Sequence, residues 1–129
     1  MEIRTRRIYD PPTARDGTRI LVDGLWPRGI SKQQARLDGW WRTLAPTKEL
    51  RQWFAHDPSR WEGFKERYFA ELDTKQVAVS AALSTVSGDR RLTLLFAARD
   101  PLYNNAVALR EYLLRISKIG LRETGEEPE

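Results

Sequence analysis

Two short stretches carry the residue types best suited to chemistry. LVDGLWPRG at positions 21–29 runs an apolar segment into a Trp, a Pro, an Arg and a Gly, and RDPLYNN at 99–105 follows a second apolar segment. Arg28 and Arg99 offer planar guanidinium forks that bind a carboxylate or phosphate through two parallel hydrogen bonds. Asn104 and Asn105 add neutral amide donors, and Trp26 and Tyr103 could serve as flat apolar walls. Asp23 joins this group as a ligand-binding candidate, although it could equally pair with Arg28. The structural alternative is that Trp26, Pro27 and Gly29 build a rigid corner, the indole plugging apolar space. Asp100 suits a helix cap better than a ligand, because its charge would oppose an anion.

His56 is the single histidine. It falls between two helical segments, where an imidazole could carry a proton near neutral pH. One histidine cannot build a multi-histidine metal site, so no metal and no cofactor are expected. No G-x-S-x-G elbow, P-loop, G-x-G-x-x-G or H-E-x-x-H is present. Glu62 and Glu66 share a helix face and read as solvated.

The elements that must position these groups follow from pattern. Residues 3–9 suit an edge strand, because Arg4, Arg6 and Arg7 interrupt the apolar positions. Residues 10–17 form a loop opened by two prolines and closed by Asp16-Gly17. Ile20, Leu21 and Val22 make a buried strand within 19–23, and Ser31 caps a short turn through Gln34. Residues 37–44 read as extended, burying one of Trp40 and Trp41. Thr47 caps a helix over 48–55, and Asp57-Pro58 starts the next. Trp61, Phe64, Tyr68 and Leu72 then form an apolar stripe, with Arg67 and Glu71 as an i,i+4 pair. A helix over 75–86 buries Val79, Ala82, Leu83 and Val86. LTLLFAA at 92–98 lacks alternation, as a strand covered on both faces should. Asp100 or Asn104 opens a last helix with Ala106, Leu109, Leu113 and Ile116 inward. This order predicts an α/β fold: one small domain over 3–119, a mostly parallel or mixed sheet of three to four strands, and about four helices. Ligands in such folds gather where strands end and helices begin.

The totals narrow the function. A chain of 129 residues fits one domain with a real core. Cysteine is absent, which excludes disulfides, thiolate catalysis and iron–sulfur clusters. No apolar run could span a membrane and MEIRTRRIYD lacks the apolar segment of a secretion signal, so a cytoplasmic location is expected. The formal charge of +4 hides an asymmetry. Residues 120–129 read as an acidic flexible tail, with four Glu against one Arg, which leaves +7 on residues 1–119. A basic body attracts anions, whether nucleotide, acidic metabolite or nucleic acid. Five Trp and four Tyr could stack bases, but most fall on helix stripes where core packing explains them.

Several segments resemble, in order, one family: RIYD at 7–10, GTRILVD at 17–23, LWPRG at 25–29, LRQWF at 50–54, His56-Asp57, W-x-x-F-x-x-R-Y-x-x-E-L at 61–72, LTLL at 92–95, and Asn104 with Ala106. The chain resembles the YeaO-like proteins of the bacterial domain of unknown function 488 over about residues 3–116. The resemblance implies a cytosolic α/β domain and no established reaction. It carries over Arg28, Arg99 and Asn104 as site candidates, with Arg51, His56, Arg67 and Tyr68 matched but suited also to structure. The chain departs from the family twice: Gly24 stands where relatives usually have Arg, and Asn105 where they usually have His. Both losses fall in the two loops singled out above. The leading expectation is a binding module for a small anionic ligand such as a nucleotide or phosphorylated metabolite. The alternatives are an enzyme in the same pocket, with His56 or a carboxylate as proton carrier, and a basic module for nucleic acid or protein.

Overall fold

The sheet is organised by its last strand. In the computed structural model, which describes residues 1–123 with side chains through Ser117, β4 (Arg91–Phe96) lies between β1 (Glu2–Arg7) and β2 (Thr18–Leu21). A fourth strand, β3 (Gly39–Trp40), extends the order to β1-β4-β2-β3, and all pairings are parallel. Leu92, Leu94, Leu95 and Phe96 are buried because both faces of β4 are covered, which explains its missing alternation. β1 is an edge strand, in keeping with its arginines.

The helices divide unequally between the faces. Ile3, Ile20, Val22, Leu92, Leu94 and Phe96 point to one side and meet α2 (Lys48–Phe54), α3 (Trp61–Asp73), α4 (Gln76–Val86) and α5 (Asn105–Glu123). The stripe of Trp61, Phe64, Tyr68 and Leu72 is buried there, and the Tyr68 hydroxyl donates to Leu44 O at 2.6 Å. Among the described residues, α1 (Lys32–Ala35) is the one α-helix on the other face, with Ala35 on Leu21, Leu95 and Ile8. The ambiguous segment after α1 resolves into β3 and a 3₁₀ turn over Arg42–Leu44, which buries Trp41 in the large core and packs Trp40 on the smaller one. The acidic tail expected over 120–129 lies partly outside the described residues; the helix α5 extends over its first positions.

Two local expectations are corrected. Arg67 and Glu71 do not pair. Arg67 stacks on Trp53, 3.9 Å from the ring centre, while Glu71 accepts from the Thr47 N–H at 3.0 Å and hydroxyl at 2.6 Å. A flat indole, and the N–H and hydroxyl of the Thr47 cap, are both stronger partners than an exposed i,i+4 contact. Asp100 does not begin the last helix. It accepts from the Leu102 and Tyr103 N–H groups in a tight turn, and Asn104 caps α5 by accepting from the Val107 N–H at 3.0 Å.

Asp16, expected as turn chemistry, is fully buried. It ends a 3₁₀ turn (Ala14–Asp16) in the connection from β1 to β2 and sits on the thinly covered sheet face. Arg6 of β1 donates to it at 2.8 Å and Arg19 of β2 at 2.5 Å, while Thr13 supplies its N–H and hydroxyl. Arg19 also donates to the Ala35 and Arg36 carbonyls that end α1. Burial alone would raise the Asp16 pKa. The Thr13 N–H, the two guanidinium groups and the Thr13 hydroxyl outweigh it and hold the value at about 2, below the ordinary 3.8. Gly17 follows with φ of 62°, and a Cβ there would lie 2.5 Å from the Arg91 carbonyl oxygen.

Asp16→Ala should lose about 3–5 kcal/mol in denaturant unfolding, since the buried Arg19 and the half-buried Arg6 both lose their carboxylate. The depressed carboxyl stabilises the fold above its unfolded value, and that contribution drains away as pH falls from about 4 towards 2. Wild-type protein should therefore lose about 2 kcal/mol across that window, and Asp16→Asn should start less stable and show a flatter profile there. An unchanged acid profile in Asp16→Asn would contradict this. Gly17→Ala should cost at least about 1–3 kcal/mol. Gly29→Ala, at φ of 77° with open space around it, should cost about 1 kcal/mol from the backbone alone. Thermal unfolding of the two variants separates clash from strain.

Candidate functional site

β2 and β4 run parallel in a register that pairs Leu21 with Leu95, so their chains leave the sheet together. The loop after β2 and the loop after β4 therefore share a rim. Two side chains fasten them to each other. The Asp23 carboxylate accepts from the Ala97 N–H at 2.8 Å, and the Asn105 amide donates to Val22 O at 2.9 Å. The rim opens on a cleft of about 970 Å³, which is also lined by the end of β1 and by α2.

All six residues proposed for ligand binding, together with His56, line this one cleft. Their roles differ. Arg28 is exposed and neither pairs with Asp23 nor caps a helix; only its carbonyl is engaged, accepting from the Tyr9 hydroxyl at 2.8 Å. Arg99 is exposed as well. Asn104 is buried and both ends of its amide are occupied, Nδ2 donating to Asp100 O at 2.9 Å and Oδ1 capping α5. It shapes the wall and has no free polar group to offer. Asn105 is a tether between loops. Trp26 is both corner and wall: its Nε1 donates to Ile30 O at 2.7 Å, its ring meets Trp40 edge-on at 5.6 Å, and it still faces the cleft. His56 and Ala55 both take left-handed backbone angles after α2, at φ of 56° and 48°, which turns the imidazole to the cleft edge.

Sequence reasoning had not singled out Arg7, Tyr9 or Phe54 as lining residues, and Arg51 only as a family match. Arg51 stands three residues before Phe54 and so on the same side of α2, a spacing that does signal shared orientation. Arg7 is less available than the other cations. Its Nε donates to Ala97 O and Ala98 O, and its guanidinium lies 4.7 Å over the Tyr9 ring. Arg28, Arg51 and Arg99 form no ion pair among the described residues, in contrast to Arg6 and Arg19.

The Asp23 carboxyl has a displaced pKa. Burial pushes it above the ordinary 3.8, opposed by the Ala97 N–H, the Asn105 amide and the charge of Arg51. Its backbone is fixed too, since Asp23 O accepts from Trp40 Nε1 at 2.6 Å. Gly24 beside it would bring a Cβ no nearer than 3.4 Å to Ala45, so the backbone there has room for a side chain. Both positions at which the chain departs from the family it resembles, Gly24 and Asn105, line the cleft. Arg67 and Tyr68, matched to the family, serve structure through Trp53 and Leu44. Among the described residues no three His, Asp or Glu side chains gather as a metal site, and no helix is long and apolar enough to cross a membrane.

Known proteins agree with the fold's sequence signature. Residues 2–125 match the family model described as the inactive DUF488-N3 subclade. The uncharacterized protein YeaO of Escherichia coli (strain K12) is 39% identical over 113 residues, covering 88% of this chain and 97% of that protein. The uncharacterized protein Rv3073c of Mycobacterium tuberculosis (strain ATCC 25618 / H37Rv) is 37% identical over 111 residues, 86% of this chain and 92% of its own. No solved structure matches the chain. With a family model spanning nearly its whole length, the chain belongs to the DUF488 family, in the subclade described as inactive.

Proposed function

We propose that this protein binds a small anionic ligand in the cleft at the carboxyl ends of β2 and β4, and holds it without turnover. One observation carries the reading: Arg28, Arg51 and Arg99 line a single concavity, from three separate elements, and none has an ion-pair partner among the described residues. Three guanidinium groups lining one concavity raise a positive potential there, which attracts an anion. A concave, largely apolar wall strengthens each contact by excluding water. The first turn of α5 opens on the same place and its dipole favours negative charge.

Binding without turnover is supported by the description of the matched subclade as inactive, and it accords with the amide of Asn105 at a position where the resemblance implies an imidazole. An enzymatic reading keeps one foothold, because His56 and Asp23 line the same cleft as the arginines and either could move a proton. The basic interaction-module reading gains less, since these three cations converge in a hollow where a rigid duplex would not reach.

Titration with inorganic pyrophosphate, followed by tryptophan fluorescence with Trp26 as the wall reporter, should give a saturable change that weakens as salt is added. Arg28→Ala, Arg51→Ala and Arg99→Ala should each weaken binding about tenfold, about 1.4 kcal/mol, with thermal midpoints close to wild type. A wild-type protein without saturable response, or three variants that bind as wild type does, would overturn the proposal.

A further inference from the structure

The cleft holds more than cations. Its walls are aromatic from three directions: Trp26 from the loop after β2, Phe54 from α2, and Tyr103 from the loop after β4. These rings are held in place. Trp26 is fixed by Ile30 O and Trp40, Phe54 lies 4.5 Å from Phe64, and Tyr103 meets Trp61 edge-on at 5.4 Å. An anion needs none of this surface. Flat rigid walls beside guanidinium groups suit a ligand that joins a planar ring to a negative charge.

Asp23 is the second feature that an anion alone leaves unexplained. A carboxylate among arginines repels a simple anion, and it lowers the net positive charge of the cleft. Yet it is positioned from every side: its Oδ2 takes the Ala97 N–H, its carbonyl takes Trp40 Nε1, and the preceding carbonyl takes the Asn105 amide. A side chain that only joined the two loops could be a neutral Asn. What a carboxylate adds is an acceptor that cannot donate, and such a group selects for a ligand N–H in the way Asp and Glu accept from the cytosine amine.

Resting on the anion-binding reading above, we infer that the ligand is a nucleoside phosphate whose base carries an exocyclic amine, with the phosphate on Arg28, Arg51 and Arg99, the base against Trp26 and Tyr103, and Asp23 as the residue that reads the amine. A cleft of about 970 Å³ has room for both halves of such a molecule. Asp23 is placed to read the amine, because Asp100 is turned to the Leu102 and Tyr103 N–H groups, Asn104 has both ends of its amide engaged and the Asn105 NH₂ is tethered to Val22. Replacing Asp23 by Asn keeps an acceptor for the Ala97 N–H and presents an NH₂ where the carboxylate oxygen was. The preference should then turn from an amine to a carbonyl.

Two isosteric pairs test this: cytidine against uridine 5′-monophosphate, and adenosine against inosine 5′-monophosphate, with ribose 5-phosphate and pyrophosphate as controls. In wild type the amine member of each pair should bind about tenfold tighter than the carbonyl member, and ribose 5-phosphate should bind more weakly than either. Asp23→Asn should narrow or reverse each preference, read as the ratio of affinities within each pair. Asp23→Ala, compared by thermal midpoint, reports the structural cost of losing the Ala97 contact. Equal binding within both pairs, or ribose 5-phosphate as good as the nucleotides, overturns this inference and leaves the anion site standing. Failure of every phosphate compound, pyrophosphate included, overturns both.

Discussion

The buried carboxylate of Asp16 is the constraint around which the rest is arranged. A strand that enters between two others forces the first connection, from β1 to β2, to pass over the sheet with little else covering it. That connection brings no large apolar side chain to the middle of the face. It brings Asp16, and the sheet answers with Arg6 and Arg19 from the strands on either side of β4, and with Thr93 of β4 itself, whose hydroxyl donates to Asp16 O at 2.6 Å. Two arginines on a buried sheet face would be ruinous unpaired; joined to one carboxylate and to the carbonyls that end α1, they replace a hydrophobic layer. The same linkage fixes the distance between β1 and β2, and hence where both strands deliver their following loops.

From there the candidate site follows by geometry. Parallel strands in close register release their loops at a common edge, so Asp23 and Ala97 can touch and Asn105 can reach Val22. The cations of the cleft are then brought together by the backbone, with no mutual bond to hold them. Arg6 and Arg19, on the sheet face beneath the connection from β1 to β2, are instead paired with Asp16. One protein thus uses the same side chain in two ways: neutralised where it holds the fold, and left open where a ligand could supply the missing charge.

Much of this was legible in the chain itself. The central strand was marked by an unbroken apolar run, the helices by stripes at three and four residues, and the shared rim by the single assumption that the two inner strands are parallel. Asp16 was not legible as a core residue. Asp before Gly satisfies a turn so well that nothing local hints at partners on two strands that are not neighbours in the sheet. Arg67 misled for a related reason, since i,i+4 spacing registers Glu71 and cannot register Trp53 fourteen positions away. In the cleft, the loop residues were found because strand ends attract ligands, whereas Tyr9 and Phe54 were hidden by roles that any edge or core aromatic could fill.

The late arrival of β4 has a consequence for biosynthesis. Among the described residues it is the last strand, yet the only one that touches both β1 and β2. A ribosome that has delivered the first ninety residues has delivered three strands, and β1 among them has no neighbour to pair with. Until Arg91–Phe96 emerges, the Arg6 and Arg19 side chains have no shared platform and the first helices have no floor. Such a topology defers most long-range closure to the end of translation, which lengthens exposure of Leu21, Val22 and the Trp61–Leu72 stripe to chaperones and to other chains.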